Sequence, residues 1–147
     1  MKISTKGRYA LRLMLDLAIN QTSGYIPLKA VAQRQEISDK YLEQIIHQLS
    51  KNGFVVSARG AQGGYRLARL PEEYTVGEIL RTVEGSLAPV SCLDCSTPCD
   101  KIDSCITIGL YKKIQNAIDG IVDHTTLADM INDFQRKQAA AKKSGSV

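Results

Sequence analysis

Apolar residues between Tyr9 and Asn20 recur at helical intervals, with Leu11, Leu15, Ala18 and Ile19 on one stripe and Leu13, Met14 and Leu17 widening it. So wide a stripe predicts a largely buried helix, ended by Thr22-Ser23-Gly24. Pro27 suits a first helical turn and opens a short second helix through Gln35, with Leu28, Val31 and Ala32 inward. After Glu36-Ile37-Ser38, Ser38 is an N-cap for a third helix running to about Lys51, with Gly53 as its stop. That helix has two faces. Leu42, Ile45, Ile46 and Leu49 form the apolar one, while Lys40, Glu43, Gln44 and His47 at i, i+3, i+4 and i+7 form a polar stripe. A short helix, a tight turn and a helix with an exposed polar stripe is the layout of a helix-turn-helix.

Phe54 to Ala58 reads as a strand, Arg59 to Gly64 as a glycine-rich turn and Tyr65 to Leu67 as a returning strand, which together make a hairpin or wing. Arg59 and Arg66 put positive charge at its ends. The loop lacks a Gly-Lys-Ser/Thr and no helix follows directly, so a nucleotide-binding reading has little support. Thr75-Val-Gly-Glu78 has the form of a capping box ahead of Ile79, Leu80 and Val83. Residues 85–98 look irregular. From about Asp103 a helix is expected, with Leu110, Ile114, Ala117 and Ile121 forming a seam suited to another helix, in the same chain or a second copy. Thr126 starts a short helix with Leu127, Met130, Ile131 and Phe134, and residues 138–147 read as a disordered tail.

Composition narrows the class. At 147 residues, 44% hydrophobic and 23% charged, the chain can bury one sizeable core without disulfide staples. No apolar run approaches the ~20 residues of a membrane span, and Arg8, Arg12 and Asp16 interrupt any signal-peptide pattern. A cytoplasmic location follows as an expectation, and it makes four cysteines ligands or redox sensors rather than disulfides. Charge is uneven. Residues 1–70 hold 11 of the 19 Lys and Arg and 4 of the 15 Asp and Glu, a net +7 against −3 for the remainder. That asymmetry suits a polyanion-binding module on a carrier module, although solvated surface charge would look the same.

All four cysteines lie within fourteen residues, as Cys92-x2-Cys95-x3-Cys99-x5-Cys105. Dispersed cysteines are usually core filler, whereas four clustered beside Pro98 and polar residues point to one metal centre. Structural zinc often uses two separate CxxC pairs; here there is one, and the irregular spacing fits an iron–sulfur cluster as well. Spacing alone leaves both open.

The opening Met1-Lys-Ile-Ser-Thr-Lys-Gly-Arg-Tyr9, Tyr41-Leu-Glu-Gln44, Lys51-Asn-Gly53, Arg59-Gly60, Gly63-Gly-Tyr65, Val76-Gly-Glu78 and Thr126-Leu127 resemble the bacterial IscR/CymR family of dimeric winged-helix transcriptional regulators. The resemblance covers nearly the whole chain. It implies a mainly α fold with a small β-wing: a winged helix-turn-helix module over 1–84, a cysteine-rich cluster-binding loop over 85–105, and a long dimerisation helix with a C-terminal helix over 106–137. It also implies a homodimer on palindromic double-stranded DNA, with no membrane partner and no enzymatic activity. No nucleophile–base or carboxylate pair stands out in the sequence either.

IscR-type members hold an iron–sulfur cluster on three cysteines, and CymR-type members lack that loop. The three-cysteine pattern maps onto Cys92, Cys99 and Cys105, with an extra residue in the first interval. The histidine that completes the site in the biogenesis regulator is Ile108 here, and the Asp used in a nitric-oxide-sensing branch is Arg8. Cys95 is the substitute the resemblance leaves. The implied cofactor is therefore a [2Fe–2S] cluster, with [4Fe–4S] as the alternative and zinc behind both. On the DNA side, Glu43 matches a base-reading Glu, Arg59 a wing arginine reaching the minor groove, and Lys40 and Gln44 share the polar stripe, with Lys40 replacing a serine. His47 reads as a solvated histidine and His124 as structural. The leading expectation is a DNA-binding repressor or activator that senses iron–sulfur or redox status. The alternatives are a CymR-like regulator of cysteine metabolism with a zinc or redox-thiol site, and a small redox protein.

Overall fold

The computed structural model describes residues 2–94 and 99–145. Along the chain run α1 (Thr5–Ile19), α2 (Leu28–Gln35), α3 (Asp39–Lys51), β1 (Val55–Ala58), β2 (Gly64–Leu67), α4 (Val76–Glu84), α5 (Ile108–Val122) and α6 (Leu127–Gly145). Single 3-10 turns occupy Pro71–Glu73, Ser91–Leu93 and Ile102–Ser104. The fold is mostly helical with one small antiparallel sheet, as the sequence leads one to expect. No helix among the described residues is long and apolar enough to cross a membrane.

α1 begins at Thr5, ahead of the expected Tyr9, because Ser4 caps it: the Ser4 hydroxyl accepts the Gly7 N–H at 3.3 Å. Ser4 also donates its N–H and hydroxyl to Glu84 at 2.9 and 2.6 Å, so the start of α1 is tied to the end of α4. Ala10, Leu13, Met14 and Leu17 carry α1 into the core beside Val31, Leu42, Ile45 and Leu49. Among the described residues one ionisable side chain is buried, that of Asp16. Its side chain is 1% exposed, and its oxygens accept Arg34 Nε and Nη2 at 3.0 and 2.6 Å and Gln35 Nε2 at 2.9 Å. All three donors belong to Arg34 and Gln35 at the end of α2, so this cluster locks α2 onto α1.

Pro27 stands at the N-cap of α2 rather than in its first turn. Glu36 then takes a left-handed conformation (φ 55°), and its N–H closes the helix on Ala32. Two residues later Ser38 caps α3, its hydroxyl accepting the Tyr41 N–H at 3.2 Å. The hairpin pairs Val55 with Leu67 and Ala58 with Gly64. Ile26 and Tyr65 exchange N–H···O bonds of 2.8 Å each, which stitches the hairpin to the segment entering α2. Gly64 is required there: a Cβ would lie 2.2 Å from the Ile26 carbonyl oxygen, and its φ is +149°. Tyr74 closes the far side of the wing. It is fully buried, donates its hydroxyl to the Phe54 carbonyl at 2.6 Å and accepts the Arg69 N–H at 2.9 Å.

The Thr75–Glu78 capping box forms as its sequence suggests. α5 starts later than Asp103, because Cys105 is extended (ψ 119°) and separates a 3-10 turn from the helix. α6 is not short. It runs to Gly145, so residues 138–145, expected as a disordered tail, form its last turns; Gln138, Ala139 to Ala141, Lys142 and Lys143 are strong helix formers. Ser146 and Val147 lie outside the described residues.

Replacing Asp16 removes three charge-assisted hydrogen bonds from a buried site. Because Arg34 can turn to solvent, Asp16→Ala should destabilise by about 2 kcal/mol, read as a lower urea midpoint at unchanged m-value. A loss near zero would mean that α2 is held by apolar packing alone.

Candidate nucleic-acid interface and cysteine loop

The apolar stripe of α3 is buried, which leaves the opposite stripe outward. Lys40, Glu43, Gln44 and His47 are all exposed, and none of their side chains makes a hydrogen bond or ion pair among the described residues. Four polar side chains on a helix fixed by Leu42, Ile45, Ile46 and Leu49 form a rigid surface able to donate to and accept from an incoming partner. Tyr41 packs edge-on against Tyr9 at 5.6 Å, and Arg12 lies over the Tyr9 ring, which buttresses the start of that surface. Arg59 is exposed just beyond β1, and Arg66 stacks over the Tyr25 ring at 4.9 Å.

An open cleft of about 520 Å³ separates the wing from the first turn of α2, with Arg59 on one wall and Lys29 on the other. Sequence reasoning missed Lys29. Its place beside Arg59 depends on the Ile26–Tyr65 pairing, a contact across thirty-nine positions that no local pattern announces. A polyanion backbone is the natural complement of two cations lining one open cleft.

Cys92 lies in the Ser91–Leu93 turn and Cys99 at the far side of the loop, while Cys105 separates the Ile102–Ser104 turn from α5. All three are half-buried free thiols. Cys105 Sγ lies 3.3 Å from Thr107 Oγ1, and hydrogen bonding from Thr107 pulls its thiol below the usual range. Cys95 lies outside the described residues. Among those described, no three His, Cys, Asp or Glu side chains stand close enough to hold a metal ion. The donors therefore suit a thiophilic metal or cluster in kind, whereas this conformation of the loop does not gather them. Ile108 is the first residue of α5, and Arg8 on α1 donates to the Thr5 hydroxyl at 3.0 Å. His124 Nδ1 lies 3.0 Å from the Gly120 carbonyl oxygen, one turn back on α5.

The loop hangs between α4 and α5, which lie antiparallel. Gly77 meets Asp123, and Arg81 meets Asp119 and Asp123. Val76, Leu80 and Leu87 form a small apolar cluster with Ile118 and Val122 beside these ion pairs. The rest of α5 is uncovered: Leu110 is 58%, Ile114 38% and Ile121 67% exposed, and Ile106 ahead of them fully so. The Arg81–Asp pairs are a second feature that sequence reasoning missed. A lone Arg and two Asp some forty positions away carry no pattern.

Residues 3–133 match the family described as Rrf2, Iron-dependent Transcriptional regulator. The chain is 38% identical over 133 residues to the HTH-type transcriptional regulator IscR of Cronobacter sakazakii, covering 90% of this chain and 82% of that one. It is 39% identical over 140 residues to the HTH-type transcriptional regulator CymR of Bacillus subtilis, covering 95% and 96%. Among solved structures, T. potens IscR superposes with a TM-score of 0.77 at 41% identity, over 94% of this chain and 91% of that one. CymR, the global cysteine regulator of B. subtilis, gives 0.73 at 40% identity over 88% and 95%.

Hydrogen bonding to Arg81 holds the Asp123 carboxyl below its usual value, and the same bond raises Arg81. A depressed carboxyl stabilises the fold above its unfolded value, about 3.9, and that contribution is lost as pH falls through the folded one. The thermal midpoint should therefore drop in acid below about pH 4. In Arg81→Gln the acid limb should be shallower; an unchanged limb would show that the pair contributes nothing to acid stability.

Proposed function

Because the chain belongs to the Rrf2 family of transcriptional regulators, we propose that it works in the cytoplasm as a homodimeric DNA-binding regulator whose cysteine loop holds an iron–sulfur cluster and senses iron–sulfur or redox status. The observation that carries this reading is the insertion of Cys92, Cys95, Cys99 and Cys105, within fourteen residues, between the DNA-binding head and α5. In this reading residues 1–84 are the head, 85–105 the sensing loop and 106–137 the dimerisation unit. The exposed Leu110, Ile114 and Ile121 face supports an α5–α5 contact, since an apolar stripe of this kind on a fifteen-residue helix asks for a partner.

Lys40, Glu43 and Gln44 enter the major groove, Glu43 accepting from a cytosine amino group, and Arg59 reaches the minor groove beside the wing. Cys92, Cys99 and Cys105 hold the cluster, with Cys95 as the fourth thiolate. The cluster supplies a centre that oxidants, nitric oxide or iron shortage can remove. Four thiolates would make it more anionic than a site with three and an imidazole, which lowers its reduction potential. The nearest rival is a regulator of cysteine metabolism that uses the same thiols without a cluster. It is favoured by the equal similarity to CymR and by the acidified Cys105 thiol.

An anaerobic preparation should be brown and carry iron and sulfide, and single Cys→Ala changes at 92, 99 and 105 should abolish both. A colourless protein with zinc or no metal would favour the rival. Cys95→Ala with unchanged iron, sulfide and spectrum would remove Cys95 from the ligand set.

On DNA, Glu43→Ala should relax base choice at one position, where a lost base-edge contact is worth about 1–3 kcal/mol. Arg59→Ala should weaken all sequences alike and reduce the salt slope by roughly 0.9. Equal loss on every sequence for Glu43→Ala would contradict its role.

A further inference from the structure

α5 is fastened to the head at one end. Val76 N–H bonds the Thr125 carbonyl at 2.8 Å, and Thr75 bridges Thr126, so the C-terminal end of α5 is fixed to the start of α4. Beyond that point the apolar contact is thin, being Ile118 and Val122 against Leu80 and its neighbours. A helix held at one end on a small patch can pivot unless something directional stops it.

Arg81 is that stop. Its Nη1 reaches Asp123 Oδ1 at 2.5 Å, and Nη2 reaches Asp119 Oδ1 at 2.8 Å and Asp123 Oδ2 at 3.2 Å. Asp119 and Asp123 stand one turn apart, so one planar fork grips two levels of α5 and sets its direction as well as its distance. Gln115, a further turn along, donates to the same Asp119 oxygen at 3.0 Å, while its Oε1 is buried without a partner among the described residues. The first half of the cysteine loop lies against this group: Leu87, Leu93 and Asp94 share a hollow of about 320 Å³ with Arg81, Gln115 and Asp119. Cys92 precedes Leu93 directly.

We infer that Arg81 is the positioning residue through which the cysteine loop sets the angle of α5 on the DNA-binding head. The inference rests on the proposed reading of the loop. Gathering Cys92 towards Cys99 and Cys105 must move Leu93 and Asp94, which form one wall of the hollow; the other walls are the Arg81 fork and Gln115. A fifteen-residue helix is about 22 Å long, so a tilt of about 10° at the fork moves its far end by roughly 4 Å. That is close to one base-pair step of about 3.4 Å, enough to change which half-site spacing two recognition helices can span.

The test measures fluorescence anisotropy of the full chain on dyad duplexes whose half-sites are moved apart in single base-pair steps. Cluster-loaded and metal-free protein are compared, with iron and sulfide counted per chain. Wild type should prefer one spacing by about tenfold and show a loaded-to-unloaded affinity ratio of about 5- to 150-fold. Arg81→Gln, holding the same iron and sulfide, should flatten the spacing preference to about threefold and the ratio to about twofold, with Arg81→Lys in between. A merely structural role would lower affinity equally at all spacings and leave both ratios intact, which overturns the inference. Should Arg81→Gln fail to fold, the double change Asp119→Asn with Asp123→Asn opens the same fork from the other side and is held to the same outcomes. A wild type indifferent to loading overturns the reading of the loop and the relay with it. A wild type that responds, with an Arg81→Gln that responds equally, overturns the relay alone.

Discussion

The Asp16 carboxyl is nearly free of water at the edge of the core, so it is tolerable only while donors pair with it. Arg34 and Gln35 do so from the last turn of α2. That demand fixes α2 against α1, and only Glu36, Ile37 and Ser38 separate α2 from α3. The direction of α3 therefore follows from where one carboxylate can be satisfied. The Ile26–Tyr65 pairing then brings the wing against the entry to α2, and Tyr74 ties the wing to the turn before α4. The head is closed around these three contacts.

The other end of the molecule is built on the opposite plan. α5 contributes no fully buried residue, and its apolar seam faces outward. One half of the chain completes its own core, and the other presents an incomplete one. The cysteine loop joins the two halves where their contact is thinnest. A rearrangement there costs little packing and can still tilt one half against the other.

Much of the head was legible because its signals are local. Ser38 as a cap, the apolar stripe of α3, the Thr75–Glu78 box and the glycine turn all depend on neighbours within a few residues, and each formed where its pattern stood. The cap at Ser4 is hidden in the sequence because Lys6 and Arg8 interrupt the apolar pattern, and the helix starts there regardless. The length of α6 escapes the apolar pattern because its last turns are polar, although their helix propensity is high. The Lys29–Arg59 cleft and the Arg81 fork depend on contacts across tens of residues, and these a sequence does not display. The cysteine spacing made the chemistry of the loop legible, but not its geometry. Among the described residues no three His, Cys, Asp or Glu side chains come together as a metal site requires.

The most direct measurement is a nuclease footprint of the purified protein on DNA upstream of its own coding region, made anaerobically with the cluster loaded and again with the metal removed. A protected region with two-fold symmetry, its half-sites about 34 Å apart and its affinity different between the two forms, is the expected result. Protection without symmetry, or identical in both forms, would contradict a dimeric regulator governed by its cysteine loop.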